Sequence, residues 1–239
     1  MTLPNHGPVS CARCWPVPGQ VEQESGPFRL VRDSGHWGAS QPHTLVLGIS
    51  KGNTQSAAFS FVPFDEVGFK GIRHRMLEIL QAVGLLRDET ALEFERRFQS
   101  TEQDYAFASV VRCSLTGRDR KKGTYTAESP NVIPAFRSGS PGCRFVENCV
   151  NEHLVEPPSR TKLVLLLGNS DSYISNLQSV LERCRARVTP INEVAYWSGE
   201  VRFVHLAHPS KMNGHFGAYI RGAGKPGEKL RAARQALQS

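Results

Sequence analysis

The run Leu163-Val-Leu-Leu-Leu-Gly168 constrains this chain more than any other feature. Five uninterrupted apolar residues stopped by a glycine are too short for a helix and show no alternation, so neither face meets water. Such a run reads as a strand buried on both sides, as in parallel sheets covered by helices. Thr44-Leu-Val-Leu-Gly48, Ala106–Val111 and Arg202-Phe-Val-His-Leu-Ala207 repeat the pattern. Between the first two, Ile72, Met76, Ile79, Leu80 and Val83 recur at helical spacing and stop at Gly84. Phe145–Leu154, Tyr173–Arg185 and Gly227–Gln238 predict further helices. Strands alternating with helices predict an α/β fold, a three-layer sandwich with a central, mainly parallel sheet flanked by helices.

Residues 1–43 are rich in Pro, Gly, Ser and His and sustain neither strand nor helix period. They read as an irregular segment, carrying a CxxC at Cys11 and Cys14, packed on a single α/β domain spanning 44–239. Ser114–Gly142 reads as a long basic loop with Arg118, Arg120, Lys121 and Lys122; inserts of that length are often functional.

The chain has 239 residues, length enough for a real core. Lys and Arg number 29 against 22 Asp and Glu, a formal charge of +7 that suits a polyanion without requiring one. No apolar run reaches the ~18–20 residues of a bilayer span, so no membrane partner is expected. The first ten residues show no positive start followed by an apolar stretch, so no export signal is read and a cytoplasmic location is expected. In that setting six cysteines do not read as a disulfide framework.

Open α/β sheets bind ligands in loops leaving the carboxyl ends of their strands. Three such loops stand out: Gly48-Ile-Ser-Lys-Gly-Asn53, Gly168-Asn-Ser-Asp171 and His208-Pro-Ser-Lys-Met-Asn-Gly-His215. The first matches neither a P-loop nor GxGxxG. His-Pro-Ser directly after an apolar strand is the more specific signal.

The order of these pieces resembles the uracil-DNA glycosylase superfamily, most closely its iron–sulfur branches. The resemblance spans about residues 11 to 215. It runs through Cys11 and Cys14; Gly48 to Gly52; Phe69-Lys-Gly71 leading to Met76-Leu77; Ser109-Val-Val-Arg-Cys113; Cys149; Leu165-Leu-Leu-Gly168; and His208-Pro-Ser210. It implies a DNA partner, a monomer and a [4Fe–4S] cluster held by Cys11, Cys14, Cys113 and Cys149. Cys143 competes for the fourth place but sits less well relative to the Leu165 strand. On chemistry alone zinc fits the same thiols, and Cys184 reads as a buried apolar residue.

The resemblance further implies a DNA glycosylase that flips a base into a pocket and hydrolyses its N-glycosidic bond. His208 matches the donor to the departing base, Phe69 the stacking ring, and Gly48, Ile49 and Ser50 the pocket lining. Met212 matches a minor-groove wedge in the Lys211–Phe216 segment, and Ser210 and Asn213 are expected to bind the substrate beside it. Read alone, His208 is an ordinary loop histidine, Phe69 a core residue and Asn53 a turn cap. The first loop offers Ile49, Ser50 and Asn53 where uracil-specific members carry an acid or amide to position water. Ser109 stands where the family reads the uracil edge with Asn, and a hydroxyl offers a different pattern. A damaged or 5-substituted pyrimidine therefore suits the site as well as uracil. Lys51 and Lys211 leave a Schiff-base route open. The alternative is a DNA-binding protein of the same fold with weak or absent catalysis.

Overall fold

The computed structural model describes residues 2–58 and 61–238. In chain order the first strands are β1 (Gly7–Pro8), β2 (Glu22–Ser25), β3 (Phe28–Val31), β4 (Gly35–Gly38), β5 (Thr44–Ser50) and β6 (Tyr105–Val111). They are followed by β7 (Ser114–Arg118), β8 (Tyr125–Thr126), β9 (Leu163–Leu167), β10 (Val188–Asn192), β11 (Ala195–Ser198) and β12 (Val201–Leu206). The helices begin with α1 (Asn53–Ala58), α2 (Phe64–Val67), α3 (Arg73–Ala82), α4 (Ala91–Arg96) and α5 (Ser129–Val132). The remainder are α6 (Cys143–His153), α7 (Asp171–Arg183), α8 (Phe216–Ile220) and α9 (Gly224–Gln238).

Eight strands form one sheet in the order β1-β4-β6-β5-β9-β12-β11-β10. The four central strands β6, β5, β9 and β12 are parallel. Their apolar runs are the reason: Leu45, Val46, Leu47, Val164, Leu165, Leu166 and Leu167 are all fully buried. The flanking pairs are antiparallel. The sheet is therefore mixed, with a parallel core, rather than mainly parallel. The edge β10-β11-β12 is a meander whose two turns, after Asn192 and at Gly199-Glu200, are too short for a parallel crossover.

The segment expected to be irregular carries four strands. Two of them, β1 and β4, extend the main sheet. The others join a second, antiparallel sheet of order β2-β3-β7-β8. The stretch expected as a loop over 114–142 supplies β7, β8 and α5. Strands of two to five residues are too short to sustain a hydrophobic period, so neither is legible in the sequence. Register explains them instead: Phe28 and Leu30 of β3 point inward while Arg29 and Val31 stay half-buried.

The long helices follow their apolar stripes. Tyr173, Ile174, Leu177, Val180 and Leu181 form the buried face of α7, each worth about 1.5–3 kcal/mol of burial. Ser170 caps that helix, its hydroxyl accepting from the Tyr173 N–H. On α6 the buried face is Phe145, Val146, Cys149, Val150 and His153, and it packs on β6. Among the described residues no helix is long and apolar enough to cross a membrane.

Candidate functional site

Because β6, β5, β9 and β12 are parallel neighbours, their carboxyl ends share one edge of the sheet. That edge carries Ser50 at the end of β5, and the loops leaving it carry Cys113, Gly168 and His208. Gly48 of β5 lies in register with Ser109 of β6. A Cβ on Gly48 would sit 3.3 Å from Ser109 Oγ and 3.4 Å from Phe69 Cε1. Residues far apart in the chain thus form one corner, and the missing side chain lets the ring and the hydroxyl approach the backbone.

Phe69 is buried, and its backbone is left-handed at φ 54°. An aromatic residue held there costs on the order of 1–3 kcal/mol, which the surroundings must offset. Arg73 at the start of α3 does part of this. Its Nε donates to the Gly68 carbonyl at 2.7 Å, and its guanidinium pairs with Glu95 and lies 3.7 Å over the Phe98 ring. Phe98 and Phe107 back the Phe69 ring at centroid distances of 6.3 and 6.5 Å.

At the next strand, Gly168 has φ +149°, and a Cβ would fall 3.0 Å from the Tyr173 ring and 3.4 Å from Ile49 Cδ1. Ile49 therefore turns toward the end of β9. The Gly168 carbonyl accepts from His205 Nδ1 at 2.8 Å, so the neutral ring carries its proton there. Its Nε2 then accepts from the Tyr196 hydroxyl at 3.3 Å. Burial holds His205 down at about 4, which keeps this chain of bonds neutral.

His208 is fixed in a similar manner with the opposite tautomer. Its Nδ1 accepts from the Ser210 backbone N–H at 3.0 Å. A neutral ring so engaged carries its proton on Nε2, which becomes the donor. Burial, with the nearby Arg75 cation, pushes His208 down to about 4. The loop around it is self-braced: Asn213 Nδ2 donates to the His208 carbonyl at 2.8 Å, and its Oδ1 accepts from the His215 N–H at 3.0 Å. Ser210 Oγ accepts from the Met212 N–H at 3.1 Å. Arg75 reaches from α3 to the Ser210 carbonyl at 2.6 Å and stacks 3.7 Å over the Phe216 ring. Arg75 thereby ties the helix behind Phe69 to the histidine loop. No sequence signal marks it. Met212 projects from this loop at 85% exposure.

Ser50 is placed at the same edge, but its hydroxyl is committed to backbone, accepting from the Leu115 N–H at 2.8 Å and bonded to the Leu115 carbonyl at 3.1 Å. It joins the end of β5 to the start of β7. Asn53 opens α1, and its side chain lies outside the described residues. Lys51 is 2% exposed with its Nζ 3.5 Å from Asp33 Oδ1, while Lys211 is exposed. Asp33 in turn accepts from the Ser114 N–H and hydroxyl at 2.8 and 2.7 Å.

The candidate thiols come from three separate segments of the chain. Cys113 follows β6, Cys149 lies on α6, and Cys11 and Cys14 belong to the N-terminal segment. That segment is pinned to α6 by Arg13, whose Nε is 2.7 Å from Glu152, and by Asn148, which donates to Cys14 Sγ at 3.4 Å. Burial pushes the Cys149 thiol up, and Cys113, Cys14 and Cys11 add to the effect. Burial raises Cys113 to about 12, with Asp33 and Cys14 contributing. Cys143 is six residues before Cys149, so the helix turns it to a different face. Cys184, at the end of α7, is buried near Glu147. Among the described residues no three His, Cys, Asp or Glu side chains are placed to hold a metal ion as they stand. The donor set itself, four thiols with burial on all but the half-buried Cys11, suits a tetrathiolate centre.

The basic stretch is the tip of the β7–β8 hairpin. Asp119 Oδ1 accepts from the Lys121 and Lys122 N–H groups at 2.8 and 2.9 Å and shapes the turn. Arg118, Arg120, Lys121 and Lys122 are exposed there. The tail is different. Lys229 pairs with Asp171, and Arg231 and Arg234 donate to the Gly222 and Ala82 carbonyls, so those cations serve the fold. A concavity of about 400 Å³ lined by His6, Gln41, Glu102 and Arg160 lies at the opposite, amino edge of the parallel strands.

Comparison with protein-family models and with curated proteins finds no match.

Proposed function

We propose that the chain is a DNA N-glycosylase of uracil-DNA glycosylase-like three-layer architecture that removes a flipped-out damaged or modified pyrimidine. The observation that carries this is His208: a neutral imidazole whose Nδ1 is occupied, leaving Nε2–H as a fixed donor at the carboxyl edge. As the C1′–N bond breaks, its electron pair moves onto the base and charge builds on a ring carbonyl oxygen. A donor already oriented toward that oxygen lowers the barrier without reorganising. Water supplies the oxygen that bonds to C1′ and gives up a proton, leaving an abasic site. Phe69 backs the base, and the Gly48–Ser109 corner reads its edge. Met212 fills the gap left in the duplex. The Cys11, Cys14, Cys113 and Cys149 set holds a structural [4Fe–4S] cluster, or zinc, which clamps the N-terminal segment onto the sheet.

A panel of duplexes carrying uracil and bulky 5-substituted pyrimidines, treated with alkali after incubation, tests the reading. Strand breaks at a modified pyrimidine are expected, with uracil cut less well, because Ser109 lacks the two-point amide pattern. Binding without any break would favour the second reading, an inactive DNA-binding protein. The first loop gives that reading its support, since its Ser50 hydroxyl is committed to backbone. Borohydride trapping of a covalent adduct would replace water with a lysine nucleophile.

The hairpin tip supplies a separate prediction. Changing Arg118, Arg120, Lys121 and Lys122 together to Gln should flatten the plot of log affinity against log salt by about 0.9 for each phosphate no longer neutralised. An unchanged slope would mean the arm does not touch the backbone.

A further inference from the structure

Arg112 is the side chain that the proposed chemistry does not use and the fold cannot leave unexplained. It lies between the end of β6 and Cys113 and is only 2% exposed. Its Nη1 donates to His36 Nδ1 at 3.1 Å. His36 is set for this, because its Nε2 donates to the Ala39 carbonyl at 2.8 Å and leaves Nδ1 as the acceptor. The other guanidinium nitrogens, Nε and Nη2, are buried with no hydrogen-bond partner among the described residues. An arginine does not escape burial by deprotonating, and a buried cation without a counter-charge is heavily penalised.

The face that α6 turns toward β6 carries Cys149 and, one turn on, His153, whose Nε2 is likewise buried without a partner among the described residues. Among the described residues no carboxylate is hydrogen-bonded to the orphaned Nε and Nη2 of Arg112, and Cys149 is the nearby group whose negative form would favour the cation. A buried cation with two unsatisfied nitrogens thus lies on the strand end that α6 covers, near Cys149 and one residue before Cys113. Four thiolates around a dipositive zinc ion, or around a dipositive iron–sulfur core, leave a dianion. Charge-assisted N–H···S bonds from Nε and Nη2 satisfy both sides at once.

We infer that Arg112 is the buried counter-charge of a tetrathiolate centre formed by Cys11, Cys14, Cys113 and Cys149. This rests on the metal-binding reading of those thiols and assigns a role to a residue outside them. Arg112 positions and neutralises the ligands and does not touch substrate.

The test compares the purified wild-type chain with Arg112→Met, Arg112→Gln and Arg112→Lys. Iron, sulfide and zinc per chain are measured, then the rate of metal loss to a chelator. Met and Gln should lose metal about 10–100-fold faster than wild type, with Lys between them. If the centre is iron–sulfur, its midpoint potential should move to more negative values in Arg112→Met and less so in Arg112→Lys. A role in packing alone makes Met at least as good as Lys, and that order overturns the inference. So does metal retention in Arg112→Met equal to wild type, which leaves the centre itself standing. Wild-type protein isolated with neither iron nor zinc overturns the centre and the inference together. A reading that needs no variant is the Arg112 Nε–H resonance of labelled wild-type protein. It should shift or broaden on loading, and an unchanged resonance overturns the counter-charge.

Discussion

Replacing His208 with Ala is expected to slow base release by about 100–1,000-fold in single turnover while leaving duplex affinity nearly unchanged. That is the usual loss when one donor to a developing oxyanion is removed. The geometry sharpens the expectation. Because Nδ1 is held by the Ser210 N–H and the ring is held down at about 4, the imidazole is neutral throughout the neutral range. The wild-type pH–rate profile should therefore show no break near the ordinary histidine value of about 6.5. A break there that vanishes in His208→Gln would mean the ring works as a proton carrier. Full activity in His208→Ala would remove the histidine from the chemistry altogether.

The second large effect belongs to the thiols. Cys113→Ala and Cys149→Ala should each empty the chain of iron or zinc, whereas Cys143→Ala and Cys184→Ala should keep it. Elemental analysis, together with the visible band that an iron–sulfur centre adds, reads the difference. Structural tetrathiolate sites in small modules carry on the order of 10 kcal/mol of folding free energy. Here the apolar strands β5, β6, β9 and β12 remain packed without the centre, so the damage should be local. Limited proteolysis should cut first around Cys11–Trp15, where without the centre the polar ties to α6 are those of Arg13 and Asn148. Loss of metal in Cys143→Ala with retention in Cys149→Ala would reverse the ligand assignment.

Much of the fold is legible in the sequence. The Leu163 run and its three counterparts predict the parallel core because complete burial leaves a plain mark, an unbroken apolar string. The motif order singles out Gly48, Phe69, Ser109 and His208, and the fold brings the first three into one corner. What escapes is physically of another kind. The strands β2, β8 and β10 are short and half-exposed, so backbone pairing rather than side-chain pattern defines them. Arg75 and Arg112 are ordinary basic residues in the sequence, and only their partners across the chain give them meaning. Such bonds depend on which loops meet in space, and nothing in local spacing records that.

The position of β5 also sets a timetable. The first strand of the parallel core lies between β6 and β9, so one of its two neighbours is more than a hundred residues away in the chain. At the ~5–20 residues per second of synthesis, β5 waits on the order of ten seconds for β9 to be made. Cys11 and Cys14 wait at least as long for Cys149. For that interval the newborn chain offers bare apolar edges and reduced thiols to its surroundings, and non-local pairing of this kind is slow even once every strand is present. If the thiols hold a metal as proposed, its delivery would be a late event in the life of each molecule, and the stretch before it is when a chaperone or a metal donor would have the most to act on.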